Sequence, residues 1–216
     1  MIDLDFAIEG ARPEQYAASP LLLLALRVTN QTPVLSVLNI MLNCQIRIVP
    51  AQRSYAAPER ERLGELFGEP QRWGQTLRSL LWTHTSVSVP AFDHECVIDL
   101  PVPCSYDFNI AATKYFYGLE DGEVPLTLLY SGSVFYREAD GQLQIAQIPW
   151  AKENSFRLLV SVWRAMMEHY YPQSAWLCLR RDTFEELYRY KRQMGLLTFE
   201  QAIEQLIETS MASTPQ

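Results

Sequence analysis

Along residues 38–48, apolar side chains fall at every even position, Leu38, Ile40, Leu42, Cys44, Ile46 and Ile48, while Asn39, Asn43, Gln45 and Arg47 alternate with them. A period of two puts every apolar member on one face, so this segment predicts a half-buried strand with Cys44 pointing into the core. Another strand signal, starting at Leu21, precedes it across "TNQTP", where Asn30 and Pro33 break the pattern. From Ser54 to Leu81 the period turns helical. Pro58 and Glu59 mark a helix start, Gly68 its stop, and Leu63, Leu66 and Phe67 share one face. Trp73, Leu77 and Leu80 follow Pro70 in a second short helical turn, which completes a helical insertion over 54–81 between strands.

Strand patterns resume with "THTSVSVP", "CVIDLPV" and the run from Tyr106 to Leu119. Asp121-Gly122 and Asp140-Gly141 flank "VPLTLLYSGSVFY" and suit the left-handed backbone of tight hairpins, which predicts an antiparallel meander. After Trp150 the pattern is helical again. Phe156, Leu159, Val160, Trp163, Met166, Met167 and Tyr170 fall on one helix face that Pro172 ends. Asp182, with Glu185 placed to reach back, predicts the start of a second helix bearing Phe184, Leu187, Tyr188 and Lys191, closed by Gly195. A third starts at Thr198 with Gln201 in the same box-like spacing, and would bury Phe199, Ala202, Ile203, Leu206 and Ile207. Sheet first and helices last is an α+β order. The expectation is one α+β domain over 1–210, an antiparallel β-sheet with the 54–81 insertion and the helices of 151–210 packed on the sheet, followed by a flexible tail at 211–216.

Composition adds limits to this picture. The chain has 216 residues, 48% of them hydrophobic and 20% charged, enough to bury a core without disulfides or metals. With 18 basic against 25 acidic residues, the net charge of −7 argues against a nucleic-acid surface. The start "MIDLDFAIEG" has acidic but no basic residues, unlike a secretory signal, and Leu21–Leu24 is too short to cross a bilayer. A cytoplasmic protein without membrane insertion is expected. Cys44, Cys96, Cys104 and Cys178 form no Cys-x-x-Cys, and in a reducing compartment they read as small apolar residues.

The densest reactive chemistry lies in "DHECVIDLPVPC", Asp93 to Cys104. His84, His94 and Cys96, with Cys104, are of the right types for a metal site, but their spacing matches no short zinc signature. A Cys–His nucleophile needs an electropositive pocket, and Asp93, Glu95 and Asp99 would raise a thiol's pKa instead. No phosphate loop or dinucleotide fingerprint occurs, so no cofactor and no enzymatic activity are expected, with the His84, His94 and Cys96 metal site as an alternative. Arg180, Arg181, Arg189, Lys191 and Arg192 are interleaved with Asp182, Glu185 and Glu186, the pattern of a solvated helix face. Tyr106, Tyr115, Phe116, Tyr117, Tyr130, Phe135 and Tyr136 cluster in neighbouring segments. Exposed aromatics favour apolar peptide, and Tyr115, Tyr117, Tyr130 and Phe135 are the candidate polypeptide-binding residues; an aromatic core under the C-terminal helices is the other reading.

The phrases "LNCQIRIVP", "LFGEPQRWGQTLRSLLWTH", "LPVPCSYDFNIAATKYFYGLEDGEVPL" and "WLCLRRDTFEELYRYK" together resemble an uncharacterised bacterial family of unknown function, over about residues 20–207. Its members are similar to proteins encoded near nickel-iron hydrogenase genes, and the resemblance implies an accessory or assembly role with a hydrogenase subunit as partner. The latter half, through "YDFNIAATKYF", "VPLTLLYSGSVFY", "YYPQ" and "LCLRRDTFEELYRYKRQ", is more distantly similar to the SecB export chaperone. That likeness implies helices backing an antiparallel sheet, self-assembly into a homo-oligomer, and capture of non-native polypeptide on apolar grooves. A structural partner subunit on a β-sandwich-type scaffold is a further alternative.

Overall fold

The computed structural model describes residues 2–105, 110–138, 140–175 and 177–212. They divide into two compact units, residues 1–174 and 175–216. The first contains strands β1 (Leu4–Pro13), β2 (Leu21–Asn30) and β3 (Ser36–Ile48), helices α1 (Ala57–Phe67) and α2 (Trp73–Thr76), strands β4 (Leu80–Val89) and β5 (Glu95–Pro103), helix α3 (Ile110–Gly118), strands β6 (Glu123–Arg137), β7 (Leu143–Gln147) and β8 (Glu153–Leu159), and helix α4 (Val160–Tyr170). The second contains α5 (Arg181–Gln193) and α6 (Phe199–Ala212). The fold is mixed α+β with C-terminal helices.

All strand pairs are antiparallel, but they form two sheets where a single meander is the simpler expectation. One is three-stranded in the order β1-β2-β5; the other is five-stranded, β4-β3-β6, with β7 and β8 sharing the far edge of β6. Their inward faces build one core. Leu22, Leu24, Leu26 and Val28 of β2 join Ile40, Leu42, Cys44, Ile46 and Ile48 of β3 and Leu126, Leu128 and Tyr130 of β6. Phe6 of β1 stacks on Tyr130 at 4.5 Å between ring centres, which ties the sheets face to face. Each such fully buried aliphatic side chain contributes roughly 1.5–3 kcal/mol, so this core dominates the stability of the first unit.

β6 spans 15 residues because two short strands cover one of its edges in succession, β8 against Glu123–Leu129 and β7 against Ser133–Arg137. Between them sits Gly132, with φ 137°; a Cβ there would come within 2.0 Å of the Met41 carbonyl oxygen of β3. Only glycine lets the two backbones approach this closely. The β6–β7 hairpin turns at Asp140-Gly141 as its dipeptide predicts, with φ 87° at Gly141 and Glu138 N–H bonded to Gln142 O at 3.0 Å. Asp121-Gly122, in contrast, joins a helix to a strand.

Four local expectations are corrected. The run from Tyr106 to Leu119 is helical from Ile110 onward; its first residues, Tyr106 included, lie outside the described residues. Ala112, Tyr115 and Phe116 are buried along with Leu119, the i, i+3, i+4, i+7 spacing of a helix, which explains why aromatics fell on both parities of the supposed strand. Residues 153–159 form β8 where a helix was expected, because Asn154, Phe156 and Leu158 alternate in burial with Glu153, Ser155 and Arg157. β1 was not anticipated, although Leu4 and Phe6 point inward and Asp5 outward. Asp182 lies inside the first turn of α5 and accepts Thr183 N–H at 2.8 Å; the N-cap position is Arg180, with no side-chain bond. α6 keeps its predicted box, with Thr198 Oγ1 accepting Gln201 N–H at 3.1 Å, and it continues to Ala212; residues 213–216 of the expected tail lie outside the described residues.

Candidate functional site

Within 54–81, α1 and α2 flank one short 3-10 turn at Pro70–Arg72, while Leu80 and Leu81, expected in the helical insertion, open β4; the helices build an aromatic layer with α3 and α4. Tyr55, Phe67, Trp73 and Tyr115 meet edge to face, with Tyr55 Oη 2.8 Å from Tyr115 Oη. Phe116 then stacks on Trp163 of α4 at 4.9 Å, and Tyr117 meets the same indole edge-on at 5.7 Å. Gly118 permits the close crossing of α3 over α1, since a Cβ there would fall 2.6 Å from Leu63 Cδ2.

A buried ion pair anchors this layer to the sheet. Arg53 and Glu59 lie 2.7 Å apart, with side chains 9% and 5% exposed. Glu59 also accepts the backbone N–H groups of Ala56 and Glu120, each at 2.9 Å, and Arg53 donates to the carbonyls of Asp121 and Glu123. Burial alone would raise the Glu59 pKa; the Glu120 and Ala56 N–H donors and the Arg53 guanidinium outweigh it and hold the carboxyl below its usual value. Both Glu59 oxygens and both terminal nitrogens of Arg53 are matched, so the cluster is a clamp between α1 and the α3–β6 connection.

Where the aromatic layer reaches the surface, α3 and α4 leave an open groove of about 400 Å³. Its floor is apolar, from Trp163, Ala165 and Met167, and Tyr117 and Tyr171 form its walls. Tyr117 is 43% exposed and donates to the Ser174 carbonyl at 3.3 Å. Two charges rim the groove, both tethered: Arg164 donates to Leu119 O, and Glu168 accepts Gln173 N–H at 3.1 Å. The end of α4 is moored to the β1–β2 connection by Tyr170, which donates to Glu14 O at 2.7 Å and accepts Ala17 N–H at 3.1 Å. Such a groove can hold an apolar side chain or a short extended segment against rigid rings.

The four aromatic candidates do not share one surface. Tyr117 lines the groove. Tyr115 is fully buried beside it, and Tyr130 is buried between the sheets, so neither ring can touch a partner without opening the core. Burial raises the pKa of both hydroxyls. Phe135 is half-buried on the other face of the five-stranded sheet, opposite Asn39 and the exposed Ile145. Trp163 and Met167, which complete the groove, were legible only as members of a helix stripe, and Tyr171, just past the end of α4, gave no signal.

The start of the reactive stretch Asp93–Cys104 is held to β2 through Asn30. Asn30, buried at the end of β2, donates from its side chain to the carbonyls of Leu35 at 2.7 Å and Asp93 at 2.9 Å, and its backbone N–H donates to His94 O at 2.8 Å. These bonds pin the β2–β3 crossing to the start of β5. His84 is exposed on β4 opposite Gln45 in the five-stranded sheet, whereas Cys96 lies on β5 opposite Val28 in the three-stranded one. Among the described residues, no three His, Cys, Asp or Glu side chains group as metal ligands, and these three do not converge. Burial pushes the Cys44 and Cys104 thiols up to about 12, which leaves them without thiolate character.

The family model described as "Family of unknown function (DUF6084)" matches residues 1–215. The chain belongs to DUF6084. No curated protein matches it. No helix among the described residues of this DUF6084 member is long and apolar enough to cross a membrane.

Proposed function

We propose that this DUF6084 chain is a non-enzymatic, cytoplasmic polypeptide-binding protein, a chaperone or assembly factor that acts by reversible apolar contact. The α3–α4 groove is the observation that carries this reading. It offers aromatic walls and an apolar floor, held rigid by Tyr117, Arg164, Glu168 and Tyr170. Rigid rings bury much area at little entropic cost, which suits a surface that accepts varied apolar side chains. The natural client, on the family resemblance of the sequence, is a nickel-iron hydrogenase subunit.

The test is a fluorescence-anisotropy titration with labelled peptides that tile both hydrogenase subunits. Peptides containing clustered aromatic and aliphatic residues are expected to bind, and charged ones not. Ala165 is an exposed helix residue on the groove floor, so Ala165→Arg fills the groove without touching the core. It should weaken binding about ten-fold or more, equivalent to at least ~1.4 kcal/mol. Equal affinity of wild type and Ala165→Arg for every binding peptide would exclude the groove as the binding site.

A further inference from the structure

The second unit has a property that its two helices cannot resolve by themselves. α5 and α6 meet through Phe184, Tyr188 and Phe199, with centroids 5.3–6.2 Å apart, and Lys191 Nζ lies 5.3 Å over the Phe199 ring. Yet Ala202 is the one buried residue among the described residues of 175–212. Leu206, Ile207 and Met211 of α6, together with Phe184, Tyr188 and Met194, remain exposed, Met211 by 74%. A helical pair this short cannot form an independent core, since isolated segments below roughly 40 residues need a staple or an association partner.

The charges indicate which partner fits. α6 carries Glu200, Glu204 and Glu208 at i, i+4 spacing and no basic residue. The second half of α5 carries Arg189, Lys191 and Arg192 and no acidic one. Within the unit the ion pairs are Arg180–Asp182 and Arg181–Glu185; among the described residues Arg189, Arg192 and the three α6 glutamates make none. The basic second half of α5 and the acidic α6, each bordering one apolar face, form a self-complementary patch. Rotation by two-fold symmetry lays α6 of one copy along α5 of the other, and each contact occurs twice.

We infer that residues 175–212 pair with the same segment of a second copy, two helical hairpins closing into a four-helix bundle. Leu206, Ile207 and Met211 then lie in the bundle core beside Phe184 and Tyr188, with the glutamates of α6 facing Arg189 and Arg192 of the partner copy. This inference is independent of the α3–α4 groove, which belongs to the first unit.

Light scattering coupled to size exclusion on the full chain tests it. Wild type is expected at twice the chain mass. One variant reverses the acidic stripe (Glu200→Lys, Glu204→Lys, Glu208→Lys), and another reverses the basic one (Arg189→Glu, Arg192→Glu). Each alone should weaken self-association by about ten-fold or more, because like charges then face each other in both halves of the interface. Mixed in equal amounts, the two should recover the dimer mass, since a heterodimer restores opposite charges on both sides. A wild type that stays monomeric over a dilution series overturns the inference and leaves the face to this chain's own first unit or to a different protein. So does a dimer indifferent to both reversals, or a pair of weakened variants that fail to recombine.

Discussion

The β-sandwich of the first unit and the helical hairpin of the second treat the same kind of side chain in opposite ways. In the sandwich, the aliphatic side chains of β2, β3 and β6 meet across two sheets and are almost entirely removed from water. In the hairpin, leucine, isoleucine and methionine at helical spacing stay exposed. Two sheets present two broad apolar faces, each of which can satisfy the other; two helices share one narrow seam and leave the remainder of each apolar arc open. The first unit therefore covers its own apolar faces, while the second leaves apolar side chains exposed.

Mutations can break or sharpen this contrast. The largest effect is expected from Glu59→Ala, which strands Arg53 as a buried charge; loss of about 3–5 kcal/mol should appear in urea denaturation. Leu42→Ala, in the centre of the sandwich, should cost about 2–5 kcal/mol by the same measurement. Tyr115→Phe removes the partner of Tyr55 Oη, which still donates to Pro50 O at 2.8 Å, so a smaller loss of about 1 kcal/mol is expected. Leu206→Ala, on the exposed α6 face, should change the unfolding of the first unit by less than about 0.5 kcal/mol, although it weakens self-association. A Leu206→Ala loss as large as that of Leu42→Ala would show that the two regions share one core and would end the distinction.

Acid offers a gentler probe of the Arg53–Glu59 clamp. Because the folded state holds the Glu59 carboxyl below its unfolded value, the stabilisation is fully present above the unfolded value. It is lost as pH falls through the folded one. Wild type should lose stability on acidification below the ordinary glutamate range. Glu59→Gln should flatten that part of the pH profile of the denaturation midpoint, and an unchanged slope would count against the clamp.

Much of the fold was legible because burial follows periodicity. The even-numbered residues of β3 from Ile40 to Ile48 and the Asp140-Gly141 turn are where their local chemistry puts them, and so are the Thr198–Gln201 box and the glycine that ends α5; at Leu38 a bulge turns Val37 inward instead. Misreadings came where two periods compete. Residues 110–118 are apolar on nearly every position, so strand and helix fit equally until their packing on α1 and Trp163 is known. Residues 153–159 were absorbed into the adjoining helix because Phe156 and Leu159 also fit its stripe. The site was less legible still: of Tyr115, Tyr117, Tyr130 and Phe135, only Tyr117 lines the groove, since composition reveals an aromatic cluster but not which ring faces water.

The order of side chains along the chain determined the α+β class, the inward face of β3, the Asp140-Gly141 turn, and an amphipathic C-terminal segment in which an acidic helix follows one with a basic second half. Contacts distant in sequence decided the rest. That there are two sheets, that Glu59 and Arg53 meet the α3–β6 connection, that His84 and Cys96 lie on different sheets, and that Tyr117 joins Trp163 and Tyr171 all depend on strand order and helix crossing. Local propensity carries no information about those, because the free energy that selects them comes from surfaces brought together only when the whole unit closes.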